Sequence, residues 1–379
     1  MRIAYVTPGL LPLPPVLGGS VETYVDQLTK VMPSHEITIY SGSFKNWMKE
    51  EQLGDVRHVR FAGQRWQLYL QQVCRHLAQN NYQVIQVENR PGFVPAIVQA
   101  AENSKVVLNL HSLNFVKNLK YTSFPTGYCL EQAHLITVNS HYLVKQLREL
   151  FPGLGTPVVV CHLGTDPDKF ISRWDEQGQT RRRVVRHKLG VKGKKVVLFA
   201  GRIIPTKGIH VLMRAMQVVA RRYPGCVLVI AGGASIGTSK QTAYMEKLQA
   251  LARKGKFKTI FLKSVKHEKM PDYYLAADVL VCPSTGGEAF GLVNVEAMAT
   301  GLPVVGSNVG GIPEVVTPQQ SGLLVPPKAH LALGKALCSV LGDGALAQSM
   351  GQFGRLRVEE YFNWFRVGSE MEQHYATLS

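Results

Sequence analysis

Short runs of β-branched and aliphatic residues alternate with helical patterns along this 379-residue chain, in two successive rounds. That alternation is the mark of parallel sheets with crossover helices, because parallel neighbours cannot be joined by a tight hairpin. In the first round it predicts strands near 2–7, 36–41, 83–88, 105–110, 135–138 and 157–161, with helices near 20–32, 66–79, 93–101 and 140–150. In the second it predicts strands near 195–200, 226–231, 259–263, 278–282, 303–306 and 322–325, with helices starting near 208, 240, 270, 291 and 329. The segment 166–194 breaks the rhythm. It is polar, basic and weakly periodic, and reads as an interdomain connection. Near the end, Tyr361-Phe362-Asn363-Trp364-Phe365 opens a last amphipathic helix with no strand after it. The expected architecture is α/β: two doubly wound domains, 1–170 and 171–355, facing across a cleft, with a helix at 356–379 packing back on the first.

Ligands of open parallel sheets bind beyond the carboxyl ends of the strands, so the loops there carry the chemistry. Ser284 to Val316, STGGEAFGLVNVEAMATGLPVVGSNVGGIPEVV, is the most informative stretch. Glu288 and Glu296 are separated by seven residues, and Phe290-Gly291-Leu292 between them opens a helical pattern. A helix entered through small residues presents unpaired N–H groups and a positive dipole end, which suit a phosphate. Glu288 then sits on the loop near a sugar, and Glu296 about one turn into the helix, within reach of a ribose. Either glutamate alone would also serve as a solvated helix-start residue favoured by the dipole.

Other loops add to it. Arg202 and Lys207 lie in LFAGRIIPTKG, between the first strand of the second round and its helix. A planar guanidinium fork and an ammonium point charge together suit a pyrophosphate. Gly232, in Ala231-Gly232-Gly233, and Val265, in Lys263-Ser264-Val265, close the next two strands as walls for a base. In the first round, the proline-stiffened loop Pro8 to Gly19 ends in Gly18-Gly19 before a helix, where glycine lets a backbone approach a phosphate or sugar. It is not a GxGxxG fingerprint, which argues against an ordinary dinucleotide enzyme. His111 ends the apolar run Val106 to Leu110, at the carboxyl tip of a strand, placed to touch a transferred sugar.

Composition narrows the partners. The formal charge of +17 favours anionic ones, namely nucleotide sugars, an anionic membrane surface or an acidic polymer. Nucleic acid is disfavoured, because no aromatic-interleaved basic strand or DNA-reading helix is present. Six scattered cysteines without paired spacing read as reduced core residues of a cytoplasmic protein, and no zinc site is expected. No apolar run reaches the roughly 18 residues that a membrane span needs.

Taken in order, these motifs resemble glycosyltransferase family 4, retaining enzymes that move a sugar from a nucleoside diphosphate. The resemblance runs nearly end to end: the Gly18-Gly19 loop, His111, Gly164-Thr165-Asp166, Gly201-Arg202…Lys207-Gly208, Ala277-Asp278, Pro283-Ser284, Glu288 through Glu296, Gly310-Gly311-Ile312-Pro313-Glu314 and Gly322-Leu323-Leu324-Val325-Pro326. Within the family it is most similar to spore-coat-associated glycosyltransferases, through Asn89-Arg90-Pro91-Gly92-Phe93 and SRWDEQGQTRR at 172–182. The chain departs from the family at Leu163, where an Asn commonly precedes the Gly-x-Asp turn.

The resemblance implies two Rossmann-like domains (the GT-B fold), with the donor held mainly by the second. It implies a UDP- or GDP-linked sugar as donor substrate and no cofactor. Arg202 and Lys207 would neutralise the diphosphate, Glu288 would orient the sugar hydroxyls, Glu296 would hold the ribose, and N–H groups from Phe290 to Leu292 would complete the cradle. The acceptor, a glycan, lipid-linked or protein group, would lie near Asn89, Arg90, Asn114 and Ser140 of the first domain, with peripheral contact to membrane or spore coat. Rival readings are a nucleotide-sugar epimerase, a sugar phosphorylase, or a non-catalytic coat assembly protein on a transferase fold.

Overall fold

The computed structural model describes residues 1–63, 65–117, 124–233, 241–262 and 265–378. The chain forms two units, one of Met1–Leu163 with Trp364–Ser379 and one of Gly164–Asn363.

The first unit holds strands β1 (Arg2–Val6), β2 (Glu36–Gly42), β3 (Glu50–Leu53), β4 (Val56–Phe61), β5 (Val84–Glu88), β6 (Lys105–Leu110), β7 (Leu135–Val138) and β8 (Val158–Val160). Their order is β3-β4-β2-β1-β5-β6-β7-β8, parallel except for the edge pair β3–β4. That antiparallel edge, from Glu50 to Phe61, was not among the expected strands; its alternating charges (Glu50, Glu51, Arg57, Arg60) hide the apolar period. The fold direction reverses between β1 and β5, so the loops after Val6 and Glu88 part there and leave a crevice. The core joins Ile3, Tyr5, Val25, Leu28, Ile37, Ile39, Val84 and Val107 to Trp364, Val367, Met371 and Tyr375 of the last helix, Trp364–Ala376. That helix keeps its apolar face on this sheet. The helical run is interrupted just before it at Phe362-Asn363, so 356–363 stay with the second unit, the helix Gly344–Tyr361 ending there.

The second unit holds β9 (Val196–Ala200), β10 (Val227–Ala231), β11 (Lys258–Leu262), β12 (Val279–Cys282), β13 (Val304–Ser307) and β14 (Gly322–Val325). All are parallel, in the order β11-β10-β9-β12-β13-β14. This is the 3-2-1-4-5-6 winding of a Rossmann sheet, with its switch point between β9 and β12. Both faces of the sheet are covered, so β9, β10 and β12 are buried throughout.

The segment 166–194 is not a bare connection: Glu176–Lys188 forms a helix. Its arginines hold it. Arg182 donates to the carbonyls of Leu275 and Ala277, and Arg186 to that of Ala276, which cap the helix Met270–Ala276. Asp278 accepts from Arg182 at 2.5 Å and from the Val196 amide at 2.7 Å. A helix docked by guanidinium groups lacks the apolar stripe that periodicity detects.

Candidate active site

At the switch point of the second unit, the loops after β9 and β12 are stitched together. The Thr206 carbonyl accepts from the Thr285 amide at 2.9 Å and from its hydroxyl at 3.2 Å. Gly208 has φ 71°, and a Cβ there would lie 1.8 Å from the Pro283 carbonyl oxygen, so only glycine permits this approach. The contact brings Lys207 Nζ to 2.8 and 2.6 Å from the two carboxylate oxygens of Glu288. Ser284 Oγ donates to Glu288 Oε2 at 2.8 Å. Behind, the Gly311 amide donates to the Glu288 carbonyl at 2.9 Å, so the Gly310-Gly311 turn fixes the backbone that carries the carboxylate. Both charged side chains are half-buried or deeper, at 25% and 10% exposure, so the pair is preorganised rather than a mobile surface contact.

Arg202, on the same loop as Lys207, is exposed and has no ion-pair partner among the described residues. Phe290 is buried, and Gly291, at φ 89°, caps the helix Leu292–Ala299, which begins directly after the loop carrying Glu288.

Glu296 is the fifth residue of the helix and is buried. Its Oε1 lies 2.8 Å from His267 Nε2, and its Oε2 accepts from Tyr274 OH at 2.6 Å. The hydrogen bond and charge of Glu296 raise the His267 pKa above the ordinary imidazole value. Burial, then Glu296, pushes the Tyr274 phenol well up.

Gly232 follows β10, where a Cβ would lie 1.9 Å from the Gly201 carbonyl oxygen. Glycine is needed there for two strand-end loops to cross. Val265 follows β11 and is partly buried; Lys263 and Ser264 lie outside the described residues.

In the first unit, Gly18 and Gly19 end the loop after β1, and Gly19 caps the helix Ser20–Lys30. Glu22 lies under them, 4% exposed, with its carboxyl pKa raised by burial. His111 Nε2 lies 2.8 Å from Oε2 of the buried Glu88, and the ring meets Tyr24 edge-on at 4.9 Å. Glu88 Oε1 accepts from Gln86 at 2.6 Å, whose Oε1 accepts from Tyr375 OH at 2.5 Å. One nitrogen of His111 is therefore spent on a buried network, leaving Nδ1 for any ligand. Arg90 stacks 3.9 Å over Phe115, and Ser140 caps the helix His141–Leu150. Asn114 starts a short helix, Asn114–Lys117. The side-chain oxygens of Asn89 and Asn139 are buried without a hydrogen-bond partner among the described residues.

Thus Lys207 and Glu288 come into contact, with the Arg202 loop and the Leu292 helix end at the same switch point. Glu296 is instead clasped by His267 and Tyr274. Gly18, Gly19 and His111 belong to the other unit. Sequence reasoning passed over His267, Tyr274, Glu22 and Glu88, and quoted Ser284 only within the Pro283-Ser284 motif. Glu88 carried the same signal as His111, a polar residue at the carboxyl tip of an apolar strand.

Two Rossmann-like parallel-sheet units with these loops define a GT-B glycosyltransferase. Residues 181–357 match the model of glycosyl transferases group 1, and residues 18–169 that of glycosyltransferase family 4. YtcC of Bacillus subtilis, provisionally named a glycosyltransferase, is 31% identical over all of this chain and 92% of its own length. Spore coat protein SA of the same organism is 28% identical over 98% of each chain. The chain belongs to the family 4 glycosyltransferases and is a transferase enzyme. Among solved structures, sucrose-phosphate synthase from Thermosynechococcus elongatus superposes with a TM-score of 0.80 at 25% identity, covering 100% of this chain and 98% of the other. Anabaena HepE, in complex with UDP-glucose, has a TM-score of 0.77 at 20% identity over the whole of both chains.

Proposed function

We propose that this enzyme is a retaining, metal-independent transferase that moves a hexose or N-acetylhexosamine from a UDP- or GDP-linked donor to an acceptor in envelope or spore-coat glycan synthesis. The observation that carries this is the Lys207–Glu288–Ser284 cluster at the switch point, beside Arg202 and the amino end of Leu292–Ala299. Lys207 and Arg202 neutralise the diphosphate as the bond to the anomeric carbon breaks, and the helix end adds fixed N–H dipoles. Glu288 orients the sugar hydroxyls and Glu296 binds the ribose. The acceptor oxygen bonds to the anomeric carbon on the face the diphosphate leaves, and its proton passes to a diphosphate oxygen. Catalysis then rests on positioning and electrostatics. UDP-glucose in HepE and GDP-mannose in the name of a 30% identical Mycolicibacterium smegmatis mannosyltransferase support a nucleotide-sugar donor of either base.

The acceptor belongs with the first unit, beside Gly18, Gly19, His111, Asn89, Arg90, Asn114 and Ser140. Buried, unpaired Asn89 Oδ1 and Asn139 Oδ1 favour a hydroxyl-bearing acceptor, since a hydroxyl supplies the donor each lacks. No helix among the described residues is long and apolar enough to cross a membrane, and contact with an anionic surface is peripheral. The amino ends of β9, β10 and β11 support it. Lys192, Lys194, Lys195, Arg221, Arg222, Arg253, Lys254, Lys256 and Lys258 are exposed there, and none has an ion-pair partner among the described residues.

The test is a screen of UDP-, GDP- and ADP-linked sugars for donor hydrolysis, followed by transfer with retained anomeric configuration. Epimerised donor without acceptor would favour the epimerase. No turnover of any donor, together with no rise in melting temperature with any nucleotide, would leave the coat assembly role standing instead.

A further inference from the structure

Two carboxylates, the partly buried Glu288 and the buried Glu296, serve the proposed donor site, and their partners differ in kind. Glu288 is paired with the Lys207 ammonium. Glu296 has His267 as its only ion-pair partner among the described residues. Its second oxygen is held by Tyr274, whose raised phenol stays a neutral donor. One carboxylate is thus paired with an ammonium, the other with an imidazole.

We propose that His267 is a positioning residue of the donor site: as an imidazolium it balances and fixes the Glu296 carboxylate, and nucleoside diphosphates bind tightest while the ring is charged. This rests on the assignment of Glu296 to the ribose.

The reason is desolvation. A ribose laid on Glu296 removes the last water from a carboxylate whose side chain is only 7% exposed. With His267 charged, the nucleoside covers a neutral pair; with the ring neutral, it covers an anion held by two neutral donors, which costs more. The imidazolium also attracts the diphosphate. Against the ring lie Glu296 from Leu292–Ala299, at hydrogen-bond distance, and Phe170, edge-on at 6.4 Å; Tyr274 from Met270–Ala276 binds the other Glu296 oxygen. Glu268 favours the charged ring and Lys169 opposes it. The balance favours charge, so the ring titrates above its usual range.

The experiment is calorimetric titration of UDP and of GDP into the full chain between pH 7 and 9, for wild type, His267→Gln, His267→Ala and Glu296→Gln. The terminal nucleotide phosphate, with a second pKa of about 6, is mostly ionised throughout that window, and the remaining ionisation of the nucleotide acts equally on wild type and variants. For wild type, the dissociation constant of the nucleotide that binds is expected to weaken about five- to tenfold from pH 7 to 9, the scale of one partly screened charge pair. His267→Gln keeps a donor to Oε1 but no charge; it is expected to bind with no such slope, near the wild-type value at pH 9. His267→Ala should bind more weakly still. Equal slopes in wild type and His267→Gln would overturn the proposal, and if the alanine variant does not fold, the glutamine variant carries the comparison. Weak binding by Glu296→Gln with unchanged His267 variants overturns only the role of His267. Wild-type binding by Glu296→Gln overturns the ribose assignment, and the proposal with it.

Discussion

Lys207→Ala separates what the ion pair does for the fold from what it does for the reaction. In the nucleotide-free protein, Lys207 is the only ion-pair partner of Glu288 among the described residues, with bonds of 2.6 and 2.8 Å. Removing it leaves a carboxylate at 10% exposure with one hydroxyl donor, Ser284. Breaking a fully buried pair costs about 3–5 kcal/mol; with the lysine at 25% exposure, screening reduces this to about 1–2 kcal/mol. The melting temperature of the second unit, 200 residues from Gly164 to Asn363, should fall by about 2–8 °C. Adding Glu288→Gln removes the stranded charge, so the double variant should recover most of that loss. Turnover should behave differently. One charge-assisted contact to the departing diphosphate is worth about 3–4 kcal/mol, so kcat should fall about 10²- to 10³-fold in Lys207→Ala. It should stay low in the double variant. Nucleotide-free thermal melts and steady-state kinetics on all four proteins form the cycle. Less than threefold loss of turnover, or a coupling energy in stability below about 0.5 kcal/mol, would refute the reasoning.

The other expectations are briefer. Turnover should survive exhaustive EDTA treatment within about twofold, since cations and a helix end supply the positive charge; strict dependence on an added divalent ion would remove metal independence. Co-sedimentation with anionic vesicles should be strong at low salt and lost near 0.5 M, with neutral vesicles inactive, because each cation near such a surface contributes about 1 kcal/mol. Lys194→Glu/Lys195→Glu/Lys256→Glu/Lys258→Glu should abolish it while donor hydrolysis persists. Burial lowers the His58 pKa to about 4. A base buried neutral must take up a proton on unfolding, so its stabilisation is complete above about pH 6.5 and is lost as pH falls towards 4. His58→Leu should therefore flatten the acid limb of the melting curve of the first unit by at most about 3 kcal/mol, measured from pH 7 to 4.5. An unchanged limb would count against it.

Much of the winding could be read directly from the chain. The six strands of the second unit fall within a residue or two of the periodic pattern, as do the helix starts expected near 208, 270, 291 and 329, because a buried parallel strand is apolar along its own length; the start expected near 240 lies outside the described residues, and its helix is described from Ala243. That property is local. The turn residues were local too: Gly208 and Gly310-Gly311 mark loops that must pass close to other backbone, and Gly291 a left-handed turn at φ 89°.

What escaped was held by partners distant in sequence. The helix Glu176–Lys188 docks through arginines onto carbonyls about ninety residues away, and so reads as a polar connection. Glu50 to Phe61 pairs at an edge where charges mask the period.

The site divides in the same way. Residue type and spacing alone nominated Lys207 and Glu288, because a diphosphate needs cations on a strand-end loop and a sugar needs a carboxylate. Only the tertiary structure joined them: 81 residues separate the two, and they meet because β12 lies beside β9 at the switch point. Glu296 was equally visible as a carboxylate on a helix. That its counter-charge is an imidazole rather than a lysine depends on where Val265-Lys266-His267 leaves the sheet, which no local pattern encodes.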